Sequence, residues 1–289
     1  MNVGVGVSIG REGAAAAARE AAERALRQAG QPRADAVLCF ATPDYFSEAD
    51  VLLDALQMAC GTELVVGASG AGVLTSREEV EGARGVVVLT LASERVGTRS
   101  VEASNVNEVG EVWQKSVGEV PHETSLFVCL SDTNAIAPEE LLATMNEVSP
   151  GLPVVGGGSC DDGSGERAFQ FGPGGVVQGA VVGLVLTGVE VEVGVTQACA
   201  PLCEPYVITR SEGSIVEELG GRPAVEVLAE VVRGRGLYGQ SGVDTALLGA
   251  YLGALPVAGL FTGLEFAPVA GRNRLQLFSG VLALVRPAE

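Results

Sequence analysis

The chain has 289 residues, 47% hydrophobic but only 4% aromatic, with 40 glycines and a net charge of −18. That length suits one large domain or two ordinary ones, with a core built from Val, Leu and Ala. With 36 acidic against 18 basic residues, the surface repels phosphate backbones and anionic bilayers, so neither nucleic acid nor membrane is an expected partner.

The start, "MNVGVGVSIGREG", lacks a basic segment followed by an apolar one, so no secretory signal is expected. A reducing, cytoplasmic setting is then the default for the six cysteines. Val3, Val5, Val7 and Ile9 alternate as in a strand, and an Ala-rich helix follows over 13–29. Gly4, Gly6 and Gly10 miss the dinucleotide-binding spacing by one residue, so no cofactor is expected. "ADAVLCFATPDY" (34–45) reads as a strand that breaks at Pro43-Asp44. "SEADVLLDALQMACG" reads as a helix with Ser47 as its N-cap. "ELVVG" is a strand ending at Gly67, and "GARGVVVLTLA" is another beyond the charged loop 76–85.

The same order then returns. "TSLFVCLSDTN" is a strand, "APEELLATMNEVSPG" a helix with Pro138 in its first turn, and "LPVVGGG" and "VVQGAVVGLVLTG" are strands. The last is too short to span a bilayer. Cys39 and Cys129 are 90 residues apart, and Gly67 and Gly156 are 89 apart. A third, shorter pass reads "SGVDTALLGAYLGA" as helix, then "LPVAGLFTG" and "RLQLFSGVLALVR" as strands, without an obvious opening strand. The predicted fold class is α/β: repeated β-α-β-β units forming mixed sheets with helices on the outside.

Strands joined through a helix run parallel with a right-handed crossover, so their carboxyl ends share one edge of the sheet, where open α/β sheets bind ligands. That edge collects Asp44, Ser69, Asp132, Asn134, Gly157, Cys160 and Asp161 as candidate ligand-binding residues. Little there suggests catalysis or metal binding. "GASGA" (67–71) has Ala71 where a nucleophile elbow needs glycine. His122, the single histidine, has no evident Asp partner, and Cys199 and Cys203 have no second pair of metal ligands. The only lysine, Lys115, rules out a P-loop lysine and most Schiff-base chemistry. Cys160 has no basic neighbour to lower its pKa, and Asp161-Asp162 before Gly163 fits a turn. An enzyme using Cys160 and Asp161 is the remaining catalytic alternative.

"PRADAVLCFATPDYFSEADVLLDALQ", "LVVGASGAGVLTSREEVEGARGVVVLTLAS" and "LPVVGGGSCDDG" resemble the N-terminal part of FIST-domain proteins. "VTQACAPLCEPYVITRSEGSIVEELGGRPAVEVLAEVV" and "LPVAGLFTGLEFAPVAGRNRLQLFSGVLALVRP" resemble the junction and last segment of their C-terminal part. The resemblance divides the chain into a FIST N-type region over 1–219 and a shortened FIST C-type region over 220–289. It implies an intracellular sensory domain that binds small ligands such as amino acids and works with a signalling protein partner, and it brings no catalytic residues. It adds Arg235 of "RGRGLYG" and Glu265 of "LEFAP", which together would pair with the carboxylate and amine of an amino acid. Val232 and Arg233 stand where the family has Cys and Asn, and Leu264 and Ala267 where it has glycine. The resulting expectation is a non-catalytic, cytoplasmic ligand sensor. The alternative is a protein-interaction scaffold that has lost ligand binding. The Val- and Leu-rich stretch 275–285 closes the shortened third pass and reads as an open strand edge, which predicts a homodimer.

Overall fold

The computed structural model describes residues 1–10, 13–160, 167–197, 205–212, 215–231, 243–277 and 279–288. They form two compact units, Met1–Gln197 with Asp244–Glu289, and Ala198–Val243. The small unit holds the antiparallel strands β14 (Ile208–Glu212), β15 (Ile215–Leu219) and β16 (Arg222–Pro223), followed by α5 (Ala224–Val231). Arg210 on β14 forms ion pairs with Glu217 and Glu218 on β15.

The large unit is built from repeats. The first runs β1 (Asn2–Ile9), α1 (Ala14–Ala29), β2 (Ala36–Ala41), α2 (Ala49–Cys60), β3 (Val65–Ser69), the hairpin β4 (Gly72–Thr75) and β5 (Glu79–Glu81), and β6 (Gly85–Ala92). The second follows the same order: β7 (Gly97–Ala103), α3 (Val106–Ser116), β8 (Ser125–Asp132), α4 (Pro138–Val148), β9 (Val154–Ser159), the hairpin β10 (Gln170–Gly172) and β11 (Gly175–Val177), and β12 (Val181–Thr187). In each, the middle strand is parallel to the third and antiparallel to the last, giving the orders β1-β6-β2-β3 and β7-β12-β8-β9. Register matches as well, with Cys39 opposite Gly67 and Cys129 opposite Gly156.

The repeat is therefore longer than the β-α-β-β unit read from sequence, gaining a leading strand and helix and an inner hairpin. "VVQGAVVGLVLTG" splits into β11 and β12 around Gly179, whose φ of 67° turns the chain. Ser47 is not the N-cap of α2, because the chain first makes a tight helical turn over Pro43–Glu48 and α2 begins after Glu48.

The third repeat is incomplete among the described residues. It has β13 (Val189–Gln197), α6 (Val243–Leu252), β17 (Ala258–Phe261), the hairpin β18 (Glu265–Val269) and β19 (Arg272–Gln276), and β20 (Ser279–Pro287). β13 pairs with β20 as β1 does with β6, but no described strand stands between β20 and β17. The hairpins close the three repeats into a ring. β10 of the second pairs with β3 of the first, β18 of the third with β9 of the second, and β4 of the first with β17 of the third.

Strand alternation divides the core. Phe40, Val66, Val87, Leu126, Leu130, Val155 and Val182 face an inner cluster shared by the sheets. Val37, Cys39 and Val88 face α1 and α2, while Phe127, Cys129 and Val185 face α3 and α4. Buried Cys39 and Cys129 act as small hydrophobes, and burial pushes both thiols up. The few aromatics sit where one large side chain must fill a gap, as where Trp113 meets Phe127 edge-on at 5.2 Å. No described helix is long and apolar enough to cross a membrane.

Candidate functional site

The turns after β3, β9 and β17 meet and bond to one another. The Cys160 amide donates to the Ser69 carbonyl at 3.1 Å, and the Ser69 hydroxyl donates back to the Cys160 carbonyl at 3.0 Å. The Ala71 amide reaches both the Phe261 carbonyl at 2.9 Å and Cys160 Sγ at 3.3 Å. The Cys160 thiol in turn donates to the Phe261 carbonyl at 3.4 Å. From the third repeat, Thr262 Oγ1 donates to the Gly158 carbonyl at 2.5 Å, and the Gly158 amide donates to the Leu264 carbonyl at 3.2 Å. A Cβ on Gly157 would lie 2.4 Å from the Leu264 oxygen. The glycines of "VVGGGS" thus allow close chain-to-chain approach.

The junction brings together Ser69, Gly157, Cys160 and Glu265, the last directly opposite Gly157 across the β9–β18 ladder. Ser69 is fully buried, and its hydroxyl also accepts from the Phe169 amide. Asp132 lies beside the junction on β8, next to Ser159. Its carboxylate accepts the Asn134 and Gly179 amides at 3.1 and 2.9 Å, tying the turn after β8 to the one before β12. Asn134 and Asp44 are exposed and follow the ends of β8 and β2. Asp161 and Arg235 lie outside the described residues.

Glu265 is the unusual charge of the group. It is half-buried, and its one side-chain partner among the described residues is Ser279, whose hydroxyl donates to it at 2.6 Å. No Lys, Arg or His pairs with it among the described residues. Burial raises its pKa above the usual carboxylate value, while the Ser279 bond acts in the opposite direction. Its counterpart in the second repeat, Gln170, is buried and bonds the Leu130 and Ala180 carbonyls at 3.1 and 2.9 Å. Sequence reading missed Thr262, although its hydroxyl follows the third "PVAG" as Ser159 follows the second "PVVG".

A cleft of about 280 Å³ lies elsewhere, beside the β1 edge, and is lined by Val5, Arg24, Gln28, Ser76, Arg77 and Ala254. The dinucleotide-like start is filled by its own chain. A Cβ on Gly4 or Gly6 would lie 1.9 or 2.0 Å from the Ala25 or Ala21 oxygen, so both glycines seat α1 on β1. The α1 N-terminus is taken by Glu48, which accepts the Ala14 amide at 2.9 Å and pairs with Arg84 at 2.7 Å.

The Ala14 amide and Arg84 hold the Glu48 carboxyl below its ordinary value of 4.5. A depressed carboxyl contributes stability that is complete above its unfolded pKa and is lost as pH falls through the folded one. Glu48→Gln should therefore flatten the loss of stability between about pH 5 and pH 3, by less than about 1 kcal/mol because the pair is partly exposed. Thermal melts of both proteins across that range check this.

The FIST N domain pattern matches residues 35–222. The chain belongs to the FIST family. FIST domains are generally sensory domains. An uncharacterized protein of Mycobacterium tuberculosis is 29% identical over 234 residues, covering 81% of this chain and 60% of its own. An uncharacterized protein of Mycobacterium bovis is 28% identical with the same coverage. The FIST chain described here thus spans about 60% of the length of the curated relatives it matches. A cyanuric acid hydrolase from A. caulinodans aligns over 63% of this chain and 70% of its own at 10% identity, with a TM-score of 0.32. A likeness that weak carries no argument about chemistry.

Proposed function

We propose that this FIST chain is a non-catalytic sensor of a small metabolite carrying an ammonium group, such as an amino acid, held at the Glu265 side of the three-turn junction. One observation carries the reading: Glu265 presents a half-buried carboxylate whose only side-chain partner among the described residues is a hydroxyl. A buried charge is costly until an opposite charge meets it, so an incoming ammonium gains both a partner and relief of that cost. Ser69, Asp132 and Thr262 are committed to backbone groups and serve as the frame. The Cys160 thiol is likewise engaged with the Phe261 carbonyl, which supports binding over nucleophilic chemistry.

A thermal-shift screen against amino acids and other amines tests this, because a ligand selective for the folded state raises its stability by mass action. The expected result is a midpoint rise with the wild type that is lost in Glu265→Gln, which keeps the shape and the Ser279 bond. Because the folded pKa of Glu265 is raised, its favourable contribution is present below the unfolded value and lost as pH rises. At neutral pH the Gln variant should then be at least as stable as the wild type, so a lost response is not unfolding. Equal shifts in both proteins would overturn the assignment. The second reading is an interaction scaffold, and it is favoured by the way the three turns spend their polar groups on one another.

A further inference from the structure

We propose that the cleft beside β1 binds a small hydroxylated oxyanion, either a hydroxycarboxylate or a sugar phosphate. The edge of β1 gives the first reason. The Gly10 amide bonds the Arg84 carbonyl, which continues the β1–β6 register in which Ser8 faces Val86. Bonding alternates along an antiparallel ladder, so Gly4, Gly6 and Ser8 turn their backbone groups to β6. Val3, Val5 and Val7 then turn theirs outward. Two side chains of α1 meet them there. Gln28 Oε1 accepts the Val5 amide at 2.6 Å, and Arg24 donates to the Val7 carbonyl at 2.8 Å. Between these anchors the strand presents the Val5 carbonyl and the Val7 amide, and neither has a partner among the described residues. Val7 is only 3% exposed, and backbone groups so placed are rarely left unpaired.

The other walls supply a frame and a charge. The β4–β5 turn contributes Thr75, Ser76, Arg77 and Glu78. Thr75 Oγ1 accepts the Arg77 and Glu78 amides at 3.1 and 2.9 Å, which sets the turn. Ser76 donates to the Leu255 carbonyl at 3.3 Å and Thr245 to Glu79 at 3.0 Å, fastening the turn to α6 and the residues after it. The whole chain carries 36 acids to 18 bases, yet the cleft is lined by two guanidiniums, Arg24 and Arg77, and one carboxylate, Glu78. Glu20 pairs with Arg24 at 2.9 Å, whereas the Arg77 guanidinium has no partner among the described residues. Gln28 Nε2 is likewise uncommitted there once its oxygen has taken the Val5 amide.

An oxyanion in the cleft thus meets the Val7 amide, Gln28 Nε2 and the charged Arg77 fork. The Val5 carbonyl needs a donor in turn, which a hydroxyl beside the anionic group provides. At about 280 Å³ the cleft lies just under the range of about 300–1,000 Å³ usual for ligand pockets, so the occupant is compact and not a nucleotide.

Calorimetric titration with malate and with glycerol phosphate, against sodium chloride at equal ionic strength, tests this. One of the two should bind one to one, and more tightly than its counterpart without the hydroxyl, succinate or inorganic phosphate. At about 100 times its dissociation constant it should raise the unfolding midpoint by about 5 °C, and exchange of the Val7 amide should slow. Arg77→Ala should leave the free protein's midpoint unchanged yet weaken binding at least about tenfold. Arg33→Ala removes the same charge outside the cleft and should leave binding intact. No saturation by either probe below about 10 mM overturns the proposal. So does a counterpart that binds as tightly, or a bound probe that leaves Val7 exchanging as before. Equal weakening in Arg77→Ala and Arg33→Ala also overturns it, because that reports only the neutralising of an acidic chain. Glu265→Gln should change none of these readouts, so the amine screen and this test can fail separately.

Discussion

Gly67→Ala should lower the unfolding free energy by roughly 3–5 kcal/mol, whereas Gly194→Ala should change it by less than about 1 kcal/mol. Both glycines lie on strands, β3 and β13, and neither has a positive φ, so intrinsic backbone preference treats them alike. Their surroundings differ. The new methyl on Gly67 would stand 1.9 Å from the Cys39 oxygen and 3.1 Å from the Phe171 ring. β2 and β10 flank β3 on both sides, so neither neighbour can retreat without breaking a ladder. Among the described residues, nothing lies within 4 Å of a Cβ built on Gly194. For a chain of this size the first substitution should lower the midpoint by about 10 °C, and paired thermal melts check the contrast. If Gly67→Ala melts like the wild type, the close packing of β2 on β3 is wrong, and with it the meaning assigned to the repeated glycines.

Those glycines show both what the sequence discloses and what it conceals. The runs "LVVG", "PVVG" and "PVAG" revealed the repeat because an all-apolar strand buried on both faces leaves a continuous local signal. β7, "GTRSVEA", did not register as a strand because it lies at a sheet edge and its side chains alternate between exposed and half-buried before Val101. The hairpin exchange that closes the ring was also hidden, since three residues of β10 carry no period and their partner on β3 is about a hundred positions away. At the candidate site Ser69, Gly157 and Cys160, at or near the ends of β3 and β9, were legible by position. Their use was not, because the partners that meet them lie in other repeats, far away in sequence. Glu265 emerged only from family resemblance, as a lone acid beside apolar neighbours has no pattern of its own.

Asn273→Ala should cost about 2–4 kcal/mol, although nothing in "GRNRLQ" sets this residue apart. Asn273 is 5% exposed and fastens the third repeat to the second. Its Oδ1 accepts the Val154 amide at 2.8 Å, and its Nδ2 donates to the Leu152 carbonyl at 2.9 Å and to Asn146 Oδ1 at 3.2 Å. Its own amide donates to the same Asn146 oxygen at 3.0 Å, and its carbonyl accepts from Asn146 Nδ2 at 3.1 Å. Alanine would leave a buried donor at the start of β9 and a buried acceptor before it, and unmade bonds of that kind cost more than made ones contribute. Asn146→Ala should cost less, since Asn273 keeps Val154 and Leu152. The double variant should fall short of the sum, because the two side chains share bonds that are lost only once. The same fastening holds the β18–β19 hairpin, and hence Glu265, against Gly157. Amide exchange over residues 265–276 should therefore accelerate in Asn273→Ala ahead of the rest of the large unit. If exchange accelerates evenly across β1 to β12 as well, Asn273 supports the whole core and does not position the hairpin.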